Sequence, residues 1–513
     1  MVVSAFKVCL IFSVWQDAFL HMFPACEVAP RWDNFNSSTP LMPFKMSTEN
    51  LLLFADDAAQ AARVEAIDQL HMATAIYTAD PVVADLLQRL RWPAPGRKLA
   101  DVSAGDGQFM CQALRKLLSV GVQSDDELLD SLEGYEIHAF ACSQARARLV
   151  DILVGAGRDR DSAVCLAERM VHNKDFLTQG PVEPTYAAVI GNPPYIRRLK
   201  VPALLRDEYD QCVPSYAAGD LLHGFIDRVS KVLVPGGEMA FVSSDRWLAA
   251  SGAAALREKI GARFNIRHVE RLDAQSVFYR PKDRKAGTPP RISPIAIHID
   301  EHPGGSPITR AAIFPGADTA LFAGLPTLGE VARVEMAPWL GPAGIFVVTP
   351  DQVASSRLPA SCLVPAFDAD DIVDGKLQEP KRFAIRTRPD EIPCQEVLDH
   401  LAANMDRMPL RGRRGSAHLP PESFWRMDLD VPSLVVARIA KTPAAIRVPA
   451  GVLPMDHHLR ITCYDPARLA AIERWLASDL AALWLSQHAS PLENGYFLIG
   501  AERLRQMPVD VSV

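Results

Sequence analysis

A chain of 513 residues exceeds what one hydrophobic core usually holds, and 49% apolar with 22% charged residues is the balance of ordinary globular domains, so two domains are expected. A net charge of −7 excludes global attraction to a polyanion and leaves only local basic patches for such contacts. The nine cysteines show no C-x-x-C spacing, which excludes a disulfide or metal framework and points to reduced thiols in a cytoplasmic protein; no metal is expected.

The first 45 residues fit a folded domain poorly. Their apolar run, residues 8–15, is too short to span a bilayer and is followed by Gln16, Asp17 and His21, so no membrane association is expected. Residues 1–45 are read as a poorly ordered or non-native extension, with Met46 as an alternative start. From there, Lys98-Leu99-Ala100-Asp101-Val102 reads as a short strand, followed by Ser103-Ala104-Gly105-Asp106-Gly107-Gln108-Phe109 and a helix with Met110, Ala113, Leu114 and Leu117 on one face. Gly105 and Gly107 open that helix, where glycine permits close approach of a ligand to free amide groups. Tyr135-Glu136-Ile137-His138-Ala139 reads as the next strand, with Glu136 able to accept from ribose hydroxyls. Asn173-Lys174-Asp175-Phe176-Leu177 precedes a third strand, Ala187-Ala188-Val189-Ile190-Gly191.

That third strand ends in Asn192-Pro193-Pro194-Tyr195. Ligands of open α/β sheets bind beyond the carboxyl ends of the strands, and two consecutive prolines hold the loop there stiff and extended. The Asn192 side-chain oxygen and the Pro193 carbonyl can accept both hydrogens of one exocyclic NH2 group, while Tyr195 offers a face for stacking. An aromatic amine is a poor nucleophile because its lone pair is delocalised. Two acceptors outside the ring plane favour a more pyramidal nitrogen, so positioning and preorganised dipoles suffice and no general base is required.

Taken in this order, the motifs make the chain resemble a TaqI-like, gamma-class DNA adenine-N6 methyltransferase of the restriction-modification kind. Thr78, in Ala75-Ile76-Tyr77-Thr78-Ala79-Asp80-Pro81, resembles the residue that meets the methionine end of S-adenosylmethionine. Asp101, Gly105, Gly107 and Phe109 match the D-x-x-x-G-x-G-x-F cofactor loop, Glu136 the ribose acid, and Asp175 with Phe176 the pair that contacts the cofactor adenine. Gly219-Asp220-Leu221-Leu222, a helix through Phe225 and Val229, and the strand at residues 238–242 resemble the rest of the sheet. The resemblance implies a Rossmann-like class I S-adenosylmethionine-dependent methyltransferase domain over residues 46–302 and a mixed α+β target-recognition domain over 303–513. It implies a monomer acting on double-stranded DNA beside the nucleoid, with a separate restriction endonuclease as an optional partner, and with Asn192, Pro193, Pro194 and Tyr195 as the catalytic loop. After Trp247, relatives carry an aromatic that clamps the flipped adenine, whereas here Leu248-Ala249-Ala250-Ser251-Gly252-Ala253-Ala254 follows, so the second stacking face must come from elsewhere.

Basic residues gather at Arg257, Lys259, Arg263, Arg267, Arg271, residues 280–285 and Arg291, then at Lys381, Arg382, Arg386, Arg388 and residues 411–414. A linker is expected at His302-Pro303-Gly304-Gly305-Ser306-Pro307, after a strand at residues 295–299 that would close the sheet. Beyond it, residues 469–484 read as one amphipathic helix, residues 433–439 and 458–462 as strands, and His457-His458 as ordinary strand residues. Core packing is favoured over base contact for Trp425 and Tyr496. Two other functions remain open: methylation of a protein glutamine amide, which uses the same Gly-Asn-Pro-Pro-Tyr loop but without a C-terminal domain of this size, and a non-enzymatic nucleic-acid-binding descendant. No nuclease constellation is recognised.

Overall fold

A computed structural model describes residues 48–279, 293–318, 320–409 and 418–512. The expected N-terminal extension 1–45 and the basic runs 280–285, Arg291 and 411–414 lie outside the described residues. A helix, Thr48–Thr74, leads into ten strands in chain order: β1 (Tyr77–Thr78), β2 (Leu99–Asp101), β3 (Leu132–Tyr135), β4 (Val171–His172), β5 (Tyr186–Gly191), β6 (Leu233–Ser244), β7 (Asn265–Arg271), β8 (Phe278–Tyr279), β9 (Pro294–Asp300) and β10 (Ser306–Pro307). β1 pairs with β8, and the other eight form one sheet in the order β10-β7-β9-β6-β5-β2-β3-β4. The pairs from β4 to β6 are parallel; those of β9 with β6 and β7 are antiparallel.

The strand interiors read as continuous apolar runs because both faces are covered. Ala100, Val189, Met239, Phe241 and Ile297 pack into one buried cluster, while Leu99, Ala188, Ile190, Ala240, Val242 and Ala296 pack into another, as the period of two requires. The helix Gln108–Ser119 buries Phe109, Met110, Ala113, Leu114 and Leu117 as its spacing predicts. The α/β class and a Rossmann-like parallel core stand as expected, and β2 and β5 pair side by side at the switch point of the strand order, with Asp101 opposite Ile190.

Several expected elements differ. The strand expected at 135–139 is Leu132–Tyr135, because the helix Asp125–Ser131 runs directly into it and His138 already caps the next helix by accepting the Ala141 N–H at 3.2 Å. Glu136 therefore sits just past a strand end, where ligands bind. The strand around 295–299 does not close the sheet: β9 inserts between β6 and β7, and the segment expected as a linker supplies β10, paired with residues 265 and 266. Residues 469–484 fall in two helices, Pro466–Leu476 and Asp479–His488, because Ser478 ends the first turn region and caps the second helix by accepting the Ala481 N–H.

Residues 322–511 build three further apolar clusters around two four-stranded sheets. The expected strand at 433–439 is Ser433–Ala437, and His458–Thr462 matches its expectation. Neither Trp425 nor Tyr496 is buried. Phe424 takes the core position, Arg426 lies over the half-buried Trp425 ring, and Tyr496 is 40% exposed.

Trp247 and Ala253 are both fully buried, with Trp247 donating its indole N–H to Ser243 Oγ at 3.3 Å. A ring added at residue 253 would enter packed core instead of a substrate cleft. Ala253→Phe is therefore expected to destabilise the protein by about 1–3 kcal/mol, read as a lower urea midpoint at unchanged slope. No helix among the described residues is long and apolar enough to cross a membrane.

Candidate functional site

A cleft opens at the carboxyl ends of β2, β3 and β5. Its walls include Thr78, Gly105, Phe109, Glu136, Asp175, Phe176, Asn192 and Pro194, so residues distant in sequence converge here. Leu70, His71, Lys174, Tyr209 and Phe225 also line it, and periodicity alone gave no signal for them.

Gly105 and Gly107 turn the chain sharply after β2 with φ of +57° and +88°. A Cβ on Gly105 would strike the Tyr77 ring at 2.9 Å, and one on Gly107 would strike the Ala145 backbone at 2.8 Å. Gly105 thus faces the cleft, while Gly107 seats the loop on the helix Ala139–Gly155. Asp101 is fully buried behind the wall and accepts the Ser103 N–H at 3.1 Å, and burial pushes its carboxyl up to about 8. Asp101 and Gly107 shape the loop from behind instead of lining the cleft.

Glu136 accepts the Gly105 N–H and the His138 N–H, each at 2.8 Å. Burial raises its carboxyl to about 7 despite those donors, with Asp175 and Asp106 adding repulsion. Asp175 caps the short helix Phe176–Gln179 by accepting the Leu177 N–H at 2.9 Å, and its carboxyl is likewise raised, chiefly by burial. The cleft is therefore lined by carboxylates whose charge is costly until a cation or hydrogen-bond donors arrive.

On the opposite wall, Asn192 donates from Nδ2 to the Ile76 carbonyl at 3.0 Å, which turns Oδ1 the other way. That oxygen is buried with no hydrogen-bond partner among the described residues, as is Oγ1 of Thr78, which also lines the cleft. Buried polar atoms are normally satisfied, so orphaned acceptors and hydroxyls at one cleft mark a place for polar ligand groups. Pro194 reaches the cleft and Pro193 is buried beside it. Tyr195 packs against the core cluster, half-buried, and burial raises its phenol above the ordinary range. Trp247 is enclosed in core.

Gly191 explains why this loop can approach β2. Its φ is +151°, and a Cβ there would meet Asp101 Oδ1 at 2.9 Å. Gly191→Ala is expected to cost about 1–3 kcal/mol of stability and most of the activity, measured by thermal melting beside a transfer assay.

The donor set fits S-adenosylmethionine: carboxylates for a cation and for ribose hydroxyls, amide groups around Gly105, and the Phe176 ring for a purine. Comparison with known proteins agrees. Residues 151–278 match the Eco57I restriction-modification methylase model. The chain is 26% identical over 509 residues to the Type II methyltransferase M.PaeR7I of Pseudomonas aeruginosa, covering 85% of each chain. It is 24% identical over 473 residues to M.XhoI of Xanthomonas vasicola, another Type II methyltransferase, covering 80% of this chain and 85% of that one. The type IIL restriction-modification enzyme MmeI, solved in complex with DNA, shares the fold with a TM-score of 0.52 at 13% identity, over 90% of this chain and 67% of that one. The resemblance to the restriction-modification methylases carried by the motif order is thereby borne out, and S-adenosylmethionine is the cofactor that comes with it.

Proposed function

We propose that the chain is a site-specific DNA methyltransferase acting on the N6 amine of an adenine flipped out of duplex DNA, in a restriction-modification or phage-defence setting. The observation that carries this reading is Asn192 Oδ1, an acceptor buried at the cleft and fixed in orientation by its own Nδ2 contact to Ile76. With the Pro193 carbonyl it holds the target amine so that its lone pair points at the transferable methyl group, which S-adenosylmethionine supplies when bound. Thr78 lies toward the methionine end, Glu136 accepts from the ribose, and Asp175 with Phe176 holds the purine; Asp101, Gly105, Gly107 and Phe109 shape the loop between them. Tyr195, expected to offer its ring face to the base, packs against the core and braces the catalytic loop. Residues 46–302 form the catalytic domain in this reading, and residues 303–513 recognise the DNA site.

Sequencing that detects modified bases in DNA from cells expressing the protein tests the reading directly. N6-methyladenine at one recurrent sequence is expected. Unmodified DNA, or modification confined to cytosine, would refute it.

A further inference from the structure

Flipping a base leaves a gap in the duplex, and an aromatic or apolar wedge commonly occupies such a gap. The stretch after Trp247 cannot supply one, because Trp247 and Ala253 are buried in core. A different element reaches the same edge of the sheet.

The segment between the helix Asp479–His488 and the helix Ala501–Arg505 is tied at both ends to loops beyond the catalytic sheet. At its start, Arg271, the last residue of β7, donates to the Ser486 carbonyl at 3.3 Å and also to that of Gln487. At its end, Glu502 Oε1 accepts the Ser251 N–H at 3.2 Å, just after β6 and the helix Arg246–Ala249. Ser244 of β6 and Arg271 of β7 pair with consecutive residues of β9, Pro294 and Ile295. Phe241, three residues before Ser244, lies opposite Gly191 of the catalytic strand. Both tethers thus sit at the sheet edge from which the Asn192 loop emerges.

Between the tethers the chain makes a hairpin, Ser490–Pro491 with Phe497–Leu498, and the second strand also pairs with Ile439–Ala440. Its turn is tight: Asn494 and Gly495 have φ of +59° and +76°, and the Leu492 N–H bonds the Tyr496 carbonyl at 2.7 Å. Tyr496, Leu498 and the cross-strand Ile439 are 40%, 41% and 54% exposed. The Lys441 ammonium sits 5.2 Å from the centre of the Tyr496 ring and forms no ion pair among the described residues. An exposed ring with an unpaired cation over it suits a surface that is apolar in its centre and anionic at its rim, which is the edge of a base stack between phosphates.

We infer that this hairpin is the element that enters duplex DNA beside the flipped adenine, with Tyr496 stacking in the vacated gap and Lys441 meeting a flanking phosphate. The inference rests on the adenine reading above. It places the gap-filling aromatic in the C-terminal part of the chain, so the insertion is coupled to recognition of the site.

The test uses the full chain with two matched duplexes of the sequence that the wild-type protein modifies, one carrying 2-aminopurine at the target position for fluorescence and one carrying adenine there for the methylation rate. Tyr496→Ala is expected to lower the flipped-base fluorescence and the methylation rate at least about tenfold, the scale of one lost base-aromatic stack, while S-adenosylmethionine affinity is unchanged. Tyr496→Phe should stay within about threefold of wild type. An abasic residue opposite the target makes flipping cheap and should restore Tyr496→Ala to near wild-type rate. Lys441→Met should flatten the salt dependence of DNA binding by about one phosphate contact. Fluorescence and rate of Tyr496→Ala within twofold of wild type overturn the inference, as does a loss that the abasic duplex fails to restore. A wild-type protein that modifies no adenine overturns instead the reading beneath it.

Discussion

Asn192→Ala should lower the rate of methyl transfer by about 10² to 10³-fold while leaving S-adenosylmethionine binding within a few-fold of wild type. The side chain donates from Nδ2 to the Ile76 carbonyl at 3.0 Å and lies beside the Tyr195 hydroxyl, and its Oδ1 is buried with no hydrogen-bond partner among the described residues. An acceptor held in that way has no structural task that consumes the oxygen, so its loss falls on the substrate amine. Asn192→Asp sharpens the test, because a carboxylate keeps an acceptor in place but removes the donor that fixes its direction and adds charge to a cleft already lined by Glu136 and Asp175. Its rate should fall between those of wild type and Asn192→Ala. A single-turnover assay with saturating cofactor reads the effect on transfer, and calorimetry reads cofactor binding. An Asn192→Ala protein retaining more than about a tenth of the wild-type rate would place the amine acceptor elsewhere.

Glu136 should govern cofactor affinity, and through its protonation the pH dependence of that affinity. Glu136→Ala is expected to weaken S-adenosylmethionine binding by about 1.5–3 kcal/mol, the range for hydrogen bonds to a charged group. The carboxyl stands at about 7 because burial outweighs the two N–H donors that it accepts. Ribose hydroxyls bond best to the ionised form, so affinity should fall as pH drops from 8 to 6, approaching tenfold per unit below the folded value. Glu136→Gln should be weaker throughout and flat over that range. Calorimetric titration at several pH values checks both, and a wild-type affinity without slope between pH 6 and 8 would detach Glu136 from the ribose.

The same group has a stability consequence of opposite sense. Its folded value lies above the ordinary 4.5, so the unliganded protein holds the proton more tightly than the unfolded chain does. That stabilisation is fully present below about 4.5 and is lost as pH rises through about 7. Asp101 acts likewise between 3.8 and about 8. Cofactor binding, which favours the ionised Glu136, offsets this loss. The melting temperature gained from S-adenosylmethionine should therefore grow from pH 6 to pH 8 in the wild-type protein and stay constant in Glu136→Gln.

By itself the sequence determined the parts of this protein whose physics is local. Short apolar runs marked β2 and β5, and alternating residues marked His458–Thr462, since a buried strand needs nothing more than its own side chains to be recognised. Gly105 and Gly107 were legible because their positive φ leaves few other residues, and the order of Thr78, the glycine loop, Glu136, Asp175 and Asn192 was enough to carry the resemblance. Boundaries set by neighbours were not legible in the same way. Glu136 read as mid-strand, because only the preceding Asp125–Ser131 helix and the His138 cap reveal where β3 ends. β9 read as a closing strand, since strand order depends on pairing partners that one segment cannot encode. Tertiary structure alone decided which rings are free: Trp247 and Ala253 vanish into core, Tyr195 braces it, and Tyr496 emerges on a hairpin. Burial of an aromatic depends on what packs over it, and a single sequence does not say what that is.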